Sequence, residues 1–506
     1  MTREPYHVVV VGAGIAGLAT AWYAEREAAA RGLVLSCTVL EKSDRAGGKV
    51  LTETVSTDVG EFMVEGGPDS FLAVQKPWAV GLATELGLSD QVVGTNDRAR
   101  KVYVLSRGRP LRLPDGIFLL APTRLRPFLC SRLISPWGKL RMGLDLVIPG
   151  RPGDEDETLG DFVIRRFGSE ALDKIAEPLL SGIYSAEVGR QSLLATFPRF
   201  REMEREYGSV IRAGLAARRR ATGFGGEPGP DRPNPASGSG PHDQGPGQAR
   251  RQPPSMFVSF RRGTYQLIEG LLGCLRARVE YGAEVVGISR RAGSPDRYLV
   301  QVAGGAATIE ADAVVLAVPA STAALLLDPL APVAAETLRS IRYVSTGIVS
   351  LGYAADASWV SIRERVHGFG ILVPAGEKLP INAVTWSSVK FPGRAPDGYE
   401  SLRVFFGGSR SPRSMDLDDT RLLEVVREQL RRIMGVSGSP LFYRVHRWEQ
   451  ANPQYDVGHL DRVDAVEAAL PPRLWVTGSS YRGIGLPDCA RQAGEVARDV
   501  ADELSR

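Results

Sequence analysis

At 506 residues, 43% apolar and 24% charged, the chain has the makeup of a soluble globular protein of two or three domains, and its formal net charge of +4 is too small to point to nucleic acid. Four widely spaced cysteines (Cys37, Cys130, Cys274, Cys489) include no C-x-x-C and five scattered histidines have no ligand spacing, which argues for reduced thiols and against a metal site. MTREPYH runs directly into the first apolar segment, and the longest apolar stretch, 313–327, contains Pro319 and falls short of the ~20 residues of a spanning helix, so a cytoplasmic protein with no leader is expected.

The first element is a strand, Val8 to Val11, leading into GAGIAG at 12–17 and an alanine-rich helix. This is the strand, glycine turn and helix of a dinucleotide site. Gly12 permits the turn, Gly14 lets the backbone approach a pyrophosphate, and Gly17 lets helix and strand pack closely. The N–H groups from Ala13 through Ile15 and Ala16 face the phosphates at the positive end of the helix. A second strand, Leu35 to Leu40, ends in Glu41, placed to accept from a ribose hydroxyl, with Lys42 beside it. Arg45, Gly47, Gly48 and Lys49 follow as R-x-G-G-K. That turn resembles the signature of two-dinucleotide-domain flavoproteins of the amine oxidase superfamily, where it helps hold FAD; a solvated basic turn is the plainer reading.

Further along, residues 107–151 combine apolar runs with nine arginines and lysines against Asp115 and Asp145 only. Three readings stay open: a pocket wall for an anionic substrate, a face resting on anionic lipid as a peripheral membrane contact, or a helical surface that is merely solvated. Between 222 and 255, 8 Gly and 8 Pro among 34 residues mark a disordered insertion. A helix is expected over 263–278, then strands at 283–288, 298–302 and 308–310, and a buried parallel strand at 313–318. Strand-like runs at 347–353, 382–387 and 402–408 and a helix at 418–435 with acidic residues at its start give a mixed second domain. Strand 473–478, a glycine-rich turn and an amphipathic helix close the chain. The fold expected is α/β plus α+β. A discontinuous Rossmann-like FAD domain comprises 1–90, 263–330 and 470–506; 91–221 is a mainly helical subdomain with a basic apolar face, and 335–465 a mixed-sheet substrate domain.

Four longer stretches are family-specific: EGGPDSF at 65–71, EPLLSGIYSAEVGRQSLLATFPRF at 177–200, NPQYDVGH at 452–459 and VTGSSYRGIGLPDC at 476–489. By these the chain resembles the FAD-dependent porphyrinogen oxidases of haem biosynthesis, most closely the soluble Gram-positive type that acts on coproporphyrinogen III. The resemblance implies noncovalent FAD and a six-electron oxidation in three two-electron steps, each passing hydride to the flavin and then to oxygen as hydrogen peroxide. It also implies hand-off of the porphyrin to other haem-biosynthesis enzymes. It places Gly67, Pro68, Asp69 and Ser70 as a rigid turn beside the isoalloxazine, Val285 on the adenine side, Trp448 near the flavin, and Gly485, Leu486 and Pro487 at a close backbone approach, with Asp488 capping the last helix. Arg98, Arg100 and Lys76 are candidates for the substrate propionates, and Tyr184 for the pocket wall. No proton acceptor can be named. Protoporphyrinogen IX remains the alternative substrate. A flavin amine oxidase is disfavoured because no S-G-x-C precedes the last motif; a nicotinamide dehydrogenase and a non-catalytic tetrapyrrole carrier are the other rivals.

Overall fold

The computed structural model describes residues 5–118, 120–122, 124–222, 255–305, 308–356 and 358–506. Almost all of the Gly/Pro-rich stretch therefore lies outside the described residues.

Four consecutive valines, Val8 to Val11, can be buried only if both faces of their strand are covered. They sit at the middle of a five-stranded parallel sheet whose order is Arg278–Glu280, Leu35–Leu40, Tyr6–Val11, Ala313–Leu316, Leu474–Val476. Val8 and Val10 pack against the helices Ile15–Ala30 and Leu486–Ser505. Val9 and Val11 face the opposite core, built by the antiparallel meander Val285–Arg291, Ser294–Val302, Thr308–Ala311 and the helices Ala320–Leu327 and Pro332–Arg339. The three chain segments that form this sheet bring the glycine turn, Glu41 and the C-terminal helix to its carboxyl edge, where open α/β sheets bind ligands. The helix expected over 263–278 is shorter, Gln266–Cys274, because Leu275 turns extended to enter the outer strand.

The second sheet has seven strands in the order Phe442–Pro453, Tyr343–Ala354, Tyr399–Gly407, Ala383–Trp386, Gly370–Leu372, Val102–Ser106, Arg109–Arg112. Its pairings are antiparallel except between Gly370–Leu372 and Val102–Ser106. Helix Asp419–Met434, capped by Asp418 accepting from the Arg421 N–H, lays Leu422, Val426 and Leu430 on one face of this sheet. The boundary expected at 91 is corrected here. Val102–Arg112 belongs to this sheet rather than to the helical subdomain, because its partner strand lies 268 residues away in register (Val102↔Gly370) and no local pattern announces it.

Helices from Leu125 to Thr222 form the third part. At its centre Arg165, Arg166 and Arg201 interlock with Asp145, Glu157 and Glu204, and Arg166 and Asp145 are fully buried. Three charges of each sign thus pair with one another where these short helices meet.

Candidate functional site: a flavin cradle between two glycine turns

Gly12 has φ +104°, and its N–H donates to the Leu40 carbonyl at 2.7 Å. A Cβ on Gly17 would stand 1.9 Å from the Gly12 carbonyl oxygen, so only glycine allows the helix this close. A Cβ on Gly14 would meet nothing within 4 Å: the protein leaves that space open. Gly14 caps helix Ile15–Ala30 without a side-chain hydrogen bond, and the first turn carries no acidic residue, so the positive helix end has no counter-charge from its own turn.

Glu41 does more than face a ribose. Its carboxylate accepts from the Ala13 N–H at 2.8 Å and from the N–H and hydroxyl of Ser43 at 3.0 and 2.7 Å. It therefore locks the first glycine turn while keeping lone-pair capacity for a further donor. The chain before Val285 runs alongside, with Gly282 N–H donating to the Ser43 carbonyl and Ala283 N–H to that of Glu41. Lys42 points outward and is exposed.

Arg45 braces the second turn from within, donating to the carbonyls of Ala46 and Gly48 at 3.1 and 2.7 Å. Gly47 N–H donates to the Ala13 carbonyl, and a Cβ on Gly48 would lie 3.5 Å from the Gly14 Cα. The two glycine turns thus meet back to back. Lys49 leaves this junction inward; its ammonium donates to the Ala451 carbonyl and to Ser479 Oγ. Among the described residues no carboxylate pairs with it, and burial pushes its pKa down. A buried cation without a counter-ion is costly unless an anion joins it.

The EGGPDSF turn closes the far side. A Cβ on Gly67 would fall 1.8 Å from the Lys49 carbonyl oxygen. Trp448 Nε1 donates to the Gly66 carbonyl at 2.7 Å, Arg403 to that of Gly67, and Thr264 Oγ1 to that of Pro68. Asp69 and Ser70 face the second sheet: Lys390 reaches both Asp69 oxygens at 2.9 and 3.0 Å and Ser70 Oγ at 2.9 Å, and Arg403 stands 3.2 Å from Asp69. Burial works to raise the Asp69 carboxyl, but Lys390 and Arg403 outweigh it and hold it well below the usual carboxylate range. Lys390 and Arg403 were invisible in the sequence, since each stands more than 300 residues from the turn it anchors.

At the last motif, Gly485 caps helix Leu486–Ser505, Pro487 lies in its first turn, and Asp488 Oδ2 accepts from the Gly485 N–H at 3.3 Å. Lys76 grips both oxygens of Asp488, at 2.8 and 2.7 Å. This corrects the expectation that Lys76 awaits a propionate: its charge is committed to the C-terminal helix. Tyr184 is buried, packed against Phe197 and Tyr455 with ring centroids 6.1 and 5.7 Å away. Arg98 and Arg100 flank buried Ala99 and are both exposed, with the Arg100 guanidinium 3.5 Å from Met256 Sδ.

His459 stacks on Tyr455 at 3.8 Å, fully buried, with Nε2 against the Tyr481 carbonyl. Burial pushes this imidazole down to about 4, against a smaller upward pull from that carbonyl. An unfolded histidine titrates near ~6.5. Between these values the unfolded chain holds a proton that the native state refuses, so stability falls as pH drops from about 6.5 towards 4, by roughly 3 kcal/mol in all. Thermal midpoints of the protein and of His459→Phe, measured across that range, should diverge, with the steeper fall in the unsubstituted chain. Parallel curves would contradict this assignment.

The sheet, the paired glycine turns and the capped terminal helix define a dinucleotide-binding oxidoreductase, and the chain belongs to the flavin containing amine oxidoreductase family, whose model matches residues 15–501. It is 38% identical to a coproporphyrinogen III oxidase of Propionibacterium freudenreichii, over 98% of this chain and 91% of that one. To the coproporphyrinogen III oxidase of Bacillus subtilis it is 32% identical over the whole of both chains. A crystal structure from Exiguobacterium sp. superposes with a TM-score of 0.82 at 28% identity, again over the whole of both chains. The cofactor of the family fits this cradle. Lys49, without a carboxylate among the described residues, the helix end without a side-chain cap and the space before Gly14 suit the diphosphate of FAD, held noncovalently.

Proposed function

We propose that this chain oxidises coproporphyrinogen III to coproporphyrin III, with oxygen as final acceptor and three hydrogen peroxides per porphyrin. The observation that carries this is the whole-length likeness to two coproporphyrinogen III oxidases, joined to a cradle that fits FAD. When bound, the flavin supplies two-electron oxidation and passes the electrons to oxygen. The chain's own work is to orient the macrocycle, and the exposed pair Arg98 and Arg100 supports the reading that cations at the strand entrance meet propionates. Steady-state rates on coproporphyrinogen III and protoporphyrinogen IX, measured side by side, test the reading. Coproporphyrinogen III should be used at least as well; a tenfold preference for protoporphyrinogen IX would make that the substrate.

A second reading concerns the surface of the helical part. We infer that it rests on anionic lipid. Trp137 is 80% exposed, and Leu129, Leu140, Leu144 and Val147 are exposed beside it. Arg126 and Arg132 are exposed close by in sequence, whereas the Asp145 carboxylate is buried on Arg166 and does not offset them. An apolar face with a basic margin suits an anionic bilayer surface. No helix among the described residues is long and apolar enough to cross a membrane. Cosedimentation with phosphatidylglycerol vesicles, absent with phosphatidylcholine and lost in Trp137→Ser/Leu140→Ser, is the expected result. Equal behaviour on both lipids would contradict it.

A further inference from the structure

A cavity of about 450 Å³ lies in the second domain, between residues 373–382 and 410–414. Among the described residues its lining includes Lys378, Arg410 and Arg413 and no carboxylate. Lys378 and Arg413 are exposed, and among the described residues neither has an ion-pair partner. Lys378 occupies a left-handed backbone position, φ +51°, which fixes where its side chain starts. Arg410 is held in place by the Glu177 carboxylate at 3.0 Å and the Val373 carbonyl at 2.8 Å. The neighbouring acid, Glu377, turns away and accepts from the backbone N–H groups of Arg107 and Gly108. Buried Asn382 and Ser411 also line the cavity and bond to each other and to the Gly407 carbonyl. Two cations without an ion-pair partner among the described residues, beside an Arg410 already matched by Glu177, leave the concave space with a net positive charge that suits an anion.

Its position narrows which anion. Gly370–Leu372 runs parallel to Val102–Ser106, with Gly370 opposite Val102 and Leu372 opposite Val104. Arg100 stands just before this strand pair and Val373, where the cavity begins, just beyond its other end. Continuing that register, Arg100 falls level with Gly368, five residues before Val373. At ~3.3 Å per residue the backbone at Arg100 and the edge of the cavity at Val373 are roughly 17 Å apart. Hydrogen bonds link the chain just before Arg410 to the residues around Lys49. Ser409 N–H, two residues past Gly407, donates to the Ser185 carbonyl; Ser185 Oγ accepts from Asn452; and Lys49 holds the adjoining Ala451 carbonyl.

We propose that this cavity takes the carboxylates on the macrocycle edge opposite the one that meets Arg100, and so selects a tetrapyrrole bearing propionates on both edges over one bearing them on a single edge. The inference rests on the proposed porphyrinogen reading and deepens it: Lys378, Arg410 and Arg413 are specificity residues. Coproporphyrinogen III carries four propionates around the ring, whereas protoporphyrinogen IX carries two, both on one edge. Only the first can satisfy both cationic ends at once.

The test uses the FAD-loaded protein and its Lys378→Gln/Arg413→Gln variant, both sites being exposed and without an ion pair among the described residues, so that folding is preserved; thermal midpoints check this, and Lys378→Glu provides a single-site reversal of charge. The ratio of kcat/KM for coproporphyrinogen III to that for protoporphyrinogen IX should fall fivefold or more in the double variant, through a higher KM for coproporphyrinogen III. A smaller change overturns the proposal. Equilibrium binding of coproporphyrin III, followed by its fluorescence, should weaken in parallel in both variants. If instead the free tricarboxylate tricarballylate binds the unsubstituted protein and not the double variant, while coproporphyrin III binds both equally, the cavity serves a small acid and the proposal fails. Unsubstituted protein that oxidises neither porphyrinogen would refute the function itself, and the porphyrin-binding contrast would still report on the cavity.

Discussion

Gly14→Val should give a folded protein that carries no flavin, whereas Gly17→Ala should fail to fold at all. The two positions lie three residues apart in one turn, yet they answer to different constraints. At Gly17 an added methyl would meet the Gly12 carbonyl oxygen at 1.9 Å, and that obstacle is main chain, with no flexible side chain free to yield. Relieving that contact means moving the helix off the strand, and with it the core formed by Leu18, Val8 and Val10. Gly14 has φ −71°, which any residue adopts, and nothing within 4 Å of a Cβ. Its glycine is therefore required only by what approaches from outside, the diphosphate. Absorbance near 450 nm and the thermal midpoint of flavin-stripped protein read the two effects separately. Flavin retained at full occupancy in Gly14→Val would mean that the cofactor does not pass this turn.

The second large effect is expected at Asp69. Asp69→Asn removes the carboxylate that, among the described residues, Lys390 and Arg403 share, leaving two cations packed against the EGGPDSF turn. Breaking a buried pair from one side costs about 3–5 kcal/mol, because the partner charge stays behind without compensation. Pairing it with Lys390→Met should recover part of the loss, and a double-mutant cycle in urea measures the coupling. Since the Asp69 carboxyl is held below the ordinary range, its contribution is fully present above the unfolded carboxylate pKa, ~4, and is lost only as pH falls below that range. A loss in Asp69→Asn under 1 kcal/mol would show that the turn is held by its backbone contacts alone.

How far the fold and site could be read in advance follows from the range of the interactions involved. The glycine turn, Glu41 and the R-x-G-G-K turn lie within forty residues and announce themselves by spacing, because tight turns need glycine wherever the backbone comes close. The strands at Ala313–Leu316 and Leu474–Val476 were legible as short apolar runs too concentrated for a half-exposed strand. Val102–Ser106 was not assigned to the second sheet, since its partner Gly370–Leu372 lies far along the chain. The same limit hid the partners of charged side chains. Lys76 and Asp488 each read as a lone charge with its own task, yet they neutralise one another. Tyr184, in a motif rich in small residues, gave no sign that Tyr455 and Phe197 would close over it.

The central claim, that a porphyrinogen gives up its electrons to flavin in this cradle, is tested most directly by mixing anaerobic FAD-loaded protein with an equimolar amount of coproporphyrinogen III. The flavin absorbance should be lost without added metal or nicotinamide, followed on admission of oxygen by the spectrum of coproporphyrin III and three hydrogen peroxides per porphyrin formed. Flavin absorbance that stays unchanged with coproporphyrinogen III and protoporphyrinogen IX alike, in protein that dithionite reduces normally, would contradict it.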